Sequence, residues 1–343
     1  MLQQTRLRLS GYFDRNFGDD YMFKIVTQAL CDVKFYVDAQ EWEIPALSGS
    51  SNVCFAPGAC SANPSVTVTG SGFMINDWKA LKYELLLFLR GALPGNYCIG
   101  CNIEPFKSLF RAFLMGEKLN KYRLITCRDR KSEAWLRTHC KKPEIHYAPD
   151  ILFSLPEEWL PQKKADRLLG IAMMHCPGDR EDAEHYRVAA EMADFWVERT
   201  GKDVLLMAFD SGKEDDVFSC NAIRNRMAQP EKAHIIIHRD GTEILEAASR
   251  CEKMICARFH AAVLALRMGI PFYPLFYRVK MRNMLEDIGC PHSGSDLQRI
   301  DEAALRAFLA EPQKAYELPE EIFADACRHV QLLRAAIEKD GKR

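Results

Sequence analysis

Five short stretches carry residue types from which a reaction centre could be built. Cys256-Ala257-Arg258-Phe259-His260 leaves a strand-like stretch and enters the very apolar residues 261–266. Arg258 and His260 thus stand at a strand–helix junction, not within an apolar face. A histidine there can give or take a proton near neutral pH, and an arginine two residues away can hold an anion. A lone histidine is more often structural; the neighbouring arginine shifts that balance. Tyr277-Arg278-Val279-Lys280 closes the next strand. Arg278 and Lys280 could complete an anion pocket, or simply open a surface helix. Arg128-Asp129-Arg130-Lys131-Ser132 follows another strand, where Arg128 could grip a carboxylate or phosphate with two parallel hydrogen bonds, or belong to a solvated basic turn.

Two glycine-bearing loops come earlier. Gly11-Tyr12-Phe13-Asp14-Arg15-Asn16-Phe17-Gly18-Asp19-Asp20 joins the first strand to the first helix. Gly18 permits close approach of a ligand, and the helix start offers free N–H groups. Asp19 and Asp20 are equally explained as helix-capping carboxylates. The loop lacks the Gly-Lys-Ser/Thr ending of a nucleotide-phosphate loop. Gly70-Ser71-Gly72 also follows a strand and could cradle a phosphate or form a plain turn.

These loops need strands and helices to position them, and the chain alternates the two. Strands are predicted at 7–12, 33–37, 65–69, 95–99 and 122–127, with helices at 21–30 and 77–90. A break at 154–166, with two prolines and mixed charge, suits a linker. Strands are then predicted at 167–173, 203–209, 233–237, 252–256 and 270–276, with helices at 184–199, 213–228, 243–249 and 258–268. The tail from 318 to 338 is helical and amphipathic. This βα alternation predicts an α/β fold with mostly parallel sheets. The halves are of similar size, so we expect two Rossmann-like domains, 1–155 and 166–317, facing across a cleft. Residues 318–343 form a helix that could dock on the first domain. Ligands bind such sheets beyond the carboxyl ends of the strands.

Composition narrows the class. The 343 residues are 48% hydrophobic and 27% charged, with a net charge of −1. That supports two ordinary cores and gives no charge-based reason to expect nucleic acid. The 13 cysteines are odd in number and scattered, which predicts reduced and mostly buried thiols. Cys98-Ile99-Gly100-Cys101 is a lone CxxC without a second pair at zinc spacing. No secretion signal is visible at the start, and LLLFL at 85–89 is too short to span a bilayer. A cytoplasmic location, at most in contact with the inner membrane surface, is expected.

Asn16-Phe17-Gly18-Asp19-Asp20 resembles the Asn-x-Gly-Asp-Glu opening of polysaccharide pyruvyl transferases. Cys256-x-Arg258-x-His260, followed by an Ala/Leu-rich helix and Gly-Ile-Pro, is similar to that family's Ser-x-Arg-x-His block. Arg128-Asp129 with Ser132, Ala148-Pro149-Asp150 and residues 277–289 resemble further family segments in the family's order, over residues 8–290. Departures are Cys256 for serine, Asp20 for glutamate, Ser71 within a glycine run, and His175 where arginine is frequent.

The resemblance implies a GT-B-like architecture and an enzyme that moves pyruvate from phosphoenolpyruvate onto sugar hydroxyls as a ketal. The acceptor would be a cell-surface polysaccharide or a nucleotide- or lipid-linked precursor. It further implies that Arg128, Arg258 and Lys280 hold the donor's carboxylate and phosphate. His260 would be the acid/base and Asp19 the base toward the sugar. Gly18, Gly70, Ser71 and Gly72 would shape the binding loops. The scheme requires no metal or cofactor. A glycosyltransferase using a nucleotide sugar, or a non-catalytic sugar- or phosphate-binding protein, would fit the same scaffold.

Overall fold

The computed structural model describes residues 5–57, 64–70, 72–73, 96–106, 108–176, 178–291 and 293–341. The first half runs β1 (Arg6–Ser10), α1 (Phe17–Ala29), β2 (Lys34–Val37), β3 (Val53–Phe55), β4 (Ser65–Val68), β5 (Gly72–Phe73), β6 (Tyr97–Ile103), α2 (Leu109–Leu119), β7 (Leu124–Cys127), α3 (Arg130–His139) and β8 (Glu144–Tyr147). The strands form a parallel sheet in the order β3-β2-β1-β4-β6-β7-β8, with β5 beside β6. β6 is buried along its whole length, as a strand covered by helices on both faces must be. The helix predicted at 77–90 lies outside the described residues.

The second half runs β9 (Leu168–Ala172), α4 (Glu184–Thr200), β10 (Val204–Ala208), α5 (Asp216–Arg224), β11 (Ala233–Ile237), α6 (Thr242–Ser249), β12 (Cys251–Cys256), α7 (Phe259–Arg267), β13 (Phe272–Phe276), α8 (Val279–Asp287), β14 (Ser295–Asp296) and α9 (Glu302–Ala310). Its parallel sheet has the order β11-β10-β9-β12-β13-β14. The architecture is two parallel-sheet α/β domains.

In each sheet one early strand has neighbours on both sides from opposite winding directions. β1 lies between β2 and β4, and β9 between β10 and β12. Chain connections diverge at those points and leave a crevice beyond the strands' carboxyl ends. The loops entering the two crevices are 11–16 and 69–70 on one side, and 173–176 and 257–258 on the other.

The two crevices are joined through α1. Phe17 donates its N–H to Phe209 O at 2.8 Å, Ser211 donates to Arg15 O at 3.2 Å, and Asn16 pairs with Asp210 in an antiparallel bridge. Asp20 on α1 meets His238 Nε2 at 2.8 Å, both side chains fully buried. The stretch read as a linker is only partly loose. Within 154–166, Leu155 is buried, and Trp159 and Leu160 pack against the core. The amphipathic tail folds as two helices, α10 (Glu320–Ala326) and α11 (Arg328–Gly341). α11 lies against β6 and β7 of the first sheet, where Thr126 Oγ1 meets His329 Nδ1 at 2.6 Å and Tyr97 donates to Asp340 at 2.6 Å.

Of the twelve described cysteines none is in a disulfide, and eight are buried. Cys54 is only partly buried, because β3 is the edge strand. Among the described residues no helix is long and apolar enough to cross a membrane.

Candidate active site

The first-domain wall starts at the α1 N-terminus. Asn16 caps the helix, its Oδ1 accepting from Gly18 N at 3.0 Å and Asp19 N at 3.3 Å. Its amide donates to Asp210 Oδ2 at 3.0 Å across the domain boundary. With Asn16 filling the cap, Asp19 is free for another partner and accepts from Gly70 N at 3.2 Å. Gly18 is required by packing: a Cβ there would sit 1.7 Å from His260 Nδ1. A Cβ at Gly70 would lie 3.0 Å from His260 Cε1 and 2.7 Å from Met22 Cε.

Arg128 supports this wall from behind. Its guanidinium donates to Asp150 Oδ2 and Asn102 Oδ1, each at 2.8 Å, and to Gly70 O, and it lies under the Phe259 ring at 4.1 Å. It is 3% exposed and does not line the cavity. Arg128, anticipated to contact a donor, is bonded here to three first-domain groups. Gly72 pairs with Asn102 as part of β5, not as a loop residue. Ser71 lies outside the described residues.

The second-domain wall is built by the β12–α7 and β13–α8 junctions. Arg258 donates through Nε and Nη2 to Asp216, with Nε–Oδ2 at 2.8 Å, and through Nη1 to half-exposed Glu214. Asp216 also accepts from Asp210 N and His175 N, so it fixes the loops after β9, β10 and β12 together. Lys280 projects from α8 with Nζ 5.3 Å from the Tyr277 ring and 5.6 Å from the Phe259 ring. Arg278 instead reaches Glu104 of the first domain at 2.8 Å. His175 meets Tyr186 OH at 3.2 Å and rests on Phe218.

His260 completes the ring. Its Nε2 is buried without a hydrogen-bond partner and stands 3.8 Å from Asp150 Oδ2, too long for a hydrogen bond but close enough for charge to act. Asp19, Gly70, Arg258, His260 and Lys280 line one cavity of about 70 Å³, together with Tyr12, Asn16, Glu214 and Tyr277. Gly18 backs the imidazole.

The carboxylates around His260 are held in unlike states. Burial pushes Asp19 up to about 6; the charges of His260 and Arg128 and the Gly70 N–H restrain the rise. Burial also acts to raise Asp150, but His260 and Arg128 outweigh it and hold that carboxyl well below the usual range. Burial raises Asp216 to about 6 against the pull of Arg258. Burial would raise Glu214 too, but Arg258 and Lys280 keep it low. One carboxyl near neutrality beside an imidazole, with a second fixed as an anion, is an arrangement suited to moving protons. Arg258 and Lys280 add two cationic side chains to the same cavity, with Arg258 already paired to Asp216 and Glu214. Among the described residues no group of three or more His, Cys, Asp or Glu is placed to hold a metal.

The sequence motifs do not mark Glu214 and Asp216 as partners of Arg258, or Asp150 as the partner of His260. The signal for the first pair was the acid-rich run Asp210 to Asp216 just after a buried strand. For Asp150 the only signal was its place in Ala148-Pro149-Asp150.

Solved structures share the architecture at low identity. A UDP-N-acetylglucosamine 2-epimerase described as putative, from Listeria monocytogenes, aligns with TM-score 0.58 and 11% identity, over 98% of this chain and 97% of its own. The UDP-GlcNAc 2-epimerase of Methanocaldococcus jannaschii gives 0.58 and 9%, over 96% and 100%. Anabaena HepE, crystallised with UDP and glucose, gives 0.59 and 10%, over 99% and 100%. At such identities the likeness establishes the GT-B fold alone. The sequence model of polysaccharide pyruvyl transferases matches residues 16–277, a span that runs from the Asn16 cap to the Tyr277 wall and takes in Asp19, Arg128, Asp150, Arg258 and His260. The chain belongs to the polysaccharide pyruvyl transferase family.

Proposed function

We propose that this protein transfers the pyruvyl group of phosphoenolpyruvate to two hydroxyls of a sugar, forming a ketal and releasing phosphate. The observation that carries the reading is the cavity itself. It sets Arg258 and Lys280 beside His260 and Asp19, an anion grip next to a proton-transfer pair.

In this scheme Arg258 and Lys280 hold the donor's carboxylate and phosphate. Both of Arg258's carboxylate partners are in place in this structure, so the donor displaces the half-exposed Glu214 while buried Asp216 stays. Protonated His260, steadied by the Asp150 charge, gives its proton to the methylene carbon. The adjacent carbon becomes electron-poor, and a sugar oxygen attacks it while Asp19 takes the hydroxyl proton. The C–O bond to phosphate breaks, its electron pair leaving with phosphate. The second hydroxyl closes the ketal and loses its proton. Two hydroxyl protons are released and one is consumed in making the methyl group. Arg128 positions Asp150 and Gly70 in this account and does not touch the donor.

The test is incubation of purified protein with phosphoenolpyruvate and a panel of hexosides and nucleotide sugars, following phosphate release and acceptor mass. Release that depends on acceptor, with an acid-labile pyruvyl ketal on the product, supports the reading. Transfer from a nucleotide sugar with phosphoenolpyruvate untouched sinks it in favour of a glycosyltransferase.

A further inference from the structure

We infer that Trp42 and Arg15 form the acceptor subsite, an indole platform for the C–H face of a neutral hexose ring. The inference rests on the sugar-acceptor reading above and names the surface that would hold the sugar.

Trp42 is 62% exposed, an unusual state for the largest apolar side chain. Yet the turn that carries it, residues 41–43 after β2, is tightly fixed. Glu43 accepts from Gln40 N at 2.7 Å, and Ser48 Oγ donates to Glu41 at 2.5 Å. A rigid turn holding an exposed indole is preorganised for contact with something apolar.

Arg15 ties that turn to the cleft. Its N–H donates to Glu43 O at 3.0 Å, its carbonyl accepts from Ser211 N, and the next residue, Asn16, lines the cavity. The Trp42 turn is thereby tied, through Glu43 and Arg15, to a residue of the cavity wall. Arg15 takes φ +55°, a left-handed conformation a non-glycine residue seldom adopts. Its guanidinium lies 5.7 Å from the Trp42 ring centroid, and its Nε is buried without a hydrogen-bond partner.

The surrounding charges select the ligand class. Asp14, Glu41 and Glu43 lie on the same two loops as Arg15. Asp14 is paired with Lys213 Nζ at 3.9 Å, which leaves Glu41 and Glu43 against Arg15; that balance disfavours a phosphate, whereas a polyol can donate to the two glutamates and accept from Arg15. An apolar face with a few polar groups along its edge is the composition a sugar ring requires.

The experiment is saturation-transfer NMR with methyl β-D-galactopyranoside and methyl N-acetyl-β-D-glucosaminide, on wild type, Trp42→Ala and Trp42→Phe, with phosphoenolpyruvate titrated into each by calorimetry. The expected result is transfer to ring C–H protons of at least one hexoside in wild type and Trp42→Phe. Trp42→Ala should weaken hexoside binding by about tenfold or more, with donor affinity the same in all three. Trp42 is outside the core, so melting temperature should not move. No hexoside signal in wild type, or an undiminished signal in Trp42→Ala, overturns the subsite. A change of oligomeric mass in Trp42→Ala overturns it in favour of a contact between copies. If hexoside binding depends on Trp42 while phosphoenolpyruvate fails to bind, the subsite stands and the donor reading falls.

Discussion

Asp150 faces two basic side chains at once: Arg128 Nη1 at 2.8 Å and His260 Nε2 at 3.8 Å. The shorter contact fixes the carboxylate, and the longer one leaves the imidazole free to exchange its proton. Asp150→Asn keeps a hydrogen-bond acceptor for Arg128 but removes the charge facing His260. We predict kcat reduced roughly 10–100-fold, at or below the low end of what general acid catalysis contributes because His260 itself remains, with the KM for phosphoenolpyruvate changed less than about threefold. Steady-state kinetics beside a melting curve check this. A fall in KM affinity alone would instead make Asp150 part of the donor grip.

Gly18 lies in the first turn of α1, where alanine would ordinarily stabilise a helix by up to about 1 kcal/mol. Here the added Cβ would overlap His260 Nδ1 at 1.7 Å, so the imidazole must turn away. Gly18→Ala should cut turnover by about 100-fold or more while the protein remains folded. Retained turnover in a folded Gly18→Ala protein contradicts the placement of His260.

Asp19 ionises at about 6 in the folded protein against 3.8 unfolded. A raised acid contributes its stability below the unfolded value and loses it as pH climbs through the folded value. At pH 7.5 the buried anion therefore costs stability, on the order of 2–3 kcal/mol from a shift of this size. Asp19→Asn should melt higher than wild type at pH 7.5, with the difference nearly gone at pH 4. Its activity should be lost, and wild-type activity should rise with pH across 6 as the base form appears. Melting scans and pH–rate profiles on both proteins decide this; equal melting differences at the two pH values would contradict it.

Glu214 occupies an edge of Arg258, which in the proposed scheme the donor shares. Glu214→Gln would remove an anion that competes with the proposed donor. Phosphoenolpyruvate should bind several-fold more tightly, with the gain shrinking at high salt. Calorimetric titration at two ionic strengths checks it. Weaker binding would mean that Glu214 orients Arg258 rather than competing for it.

Arg258 and His260 were legible because the chemistry and the element boundary coincide within five residues. A buried strand ends, two polar side chains follow, and an apolar helix starts. The βα alternation was legible for the same reason, since parallel strands under helices read as short apolar runs. The partners were not legible. Asp150 reaches His260 from 110 residues away, and Asp216 reaches Arg258 from 42; only the order of strands in the two sheets brings them together. Arg128 shows the limit differently. Its position after a strand end was readable, but its burial depends on Asn102 from the neighbouring strand and Phe259 from the other domain. Gly72 read as a loop glycine because strand β5 is two residues long and leaves no periodic pattern.

The most direct measurement is calorimetric titration of phosphoenolpyruvate into wild type and Arg258→Ala, with a nucleotide sugar such as UDP-glucose as the comparison ligand. Saturable phosphoenolpyruvate binding that the variant loses, and no comparable binding of UDP-glucose, is the expected result. Binding of UDP-glucose by a folded wild type that ignores phosphoenolpyruvate would contradict it.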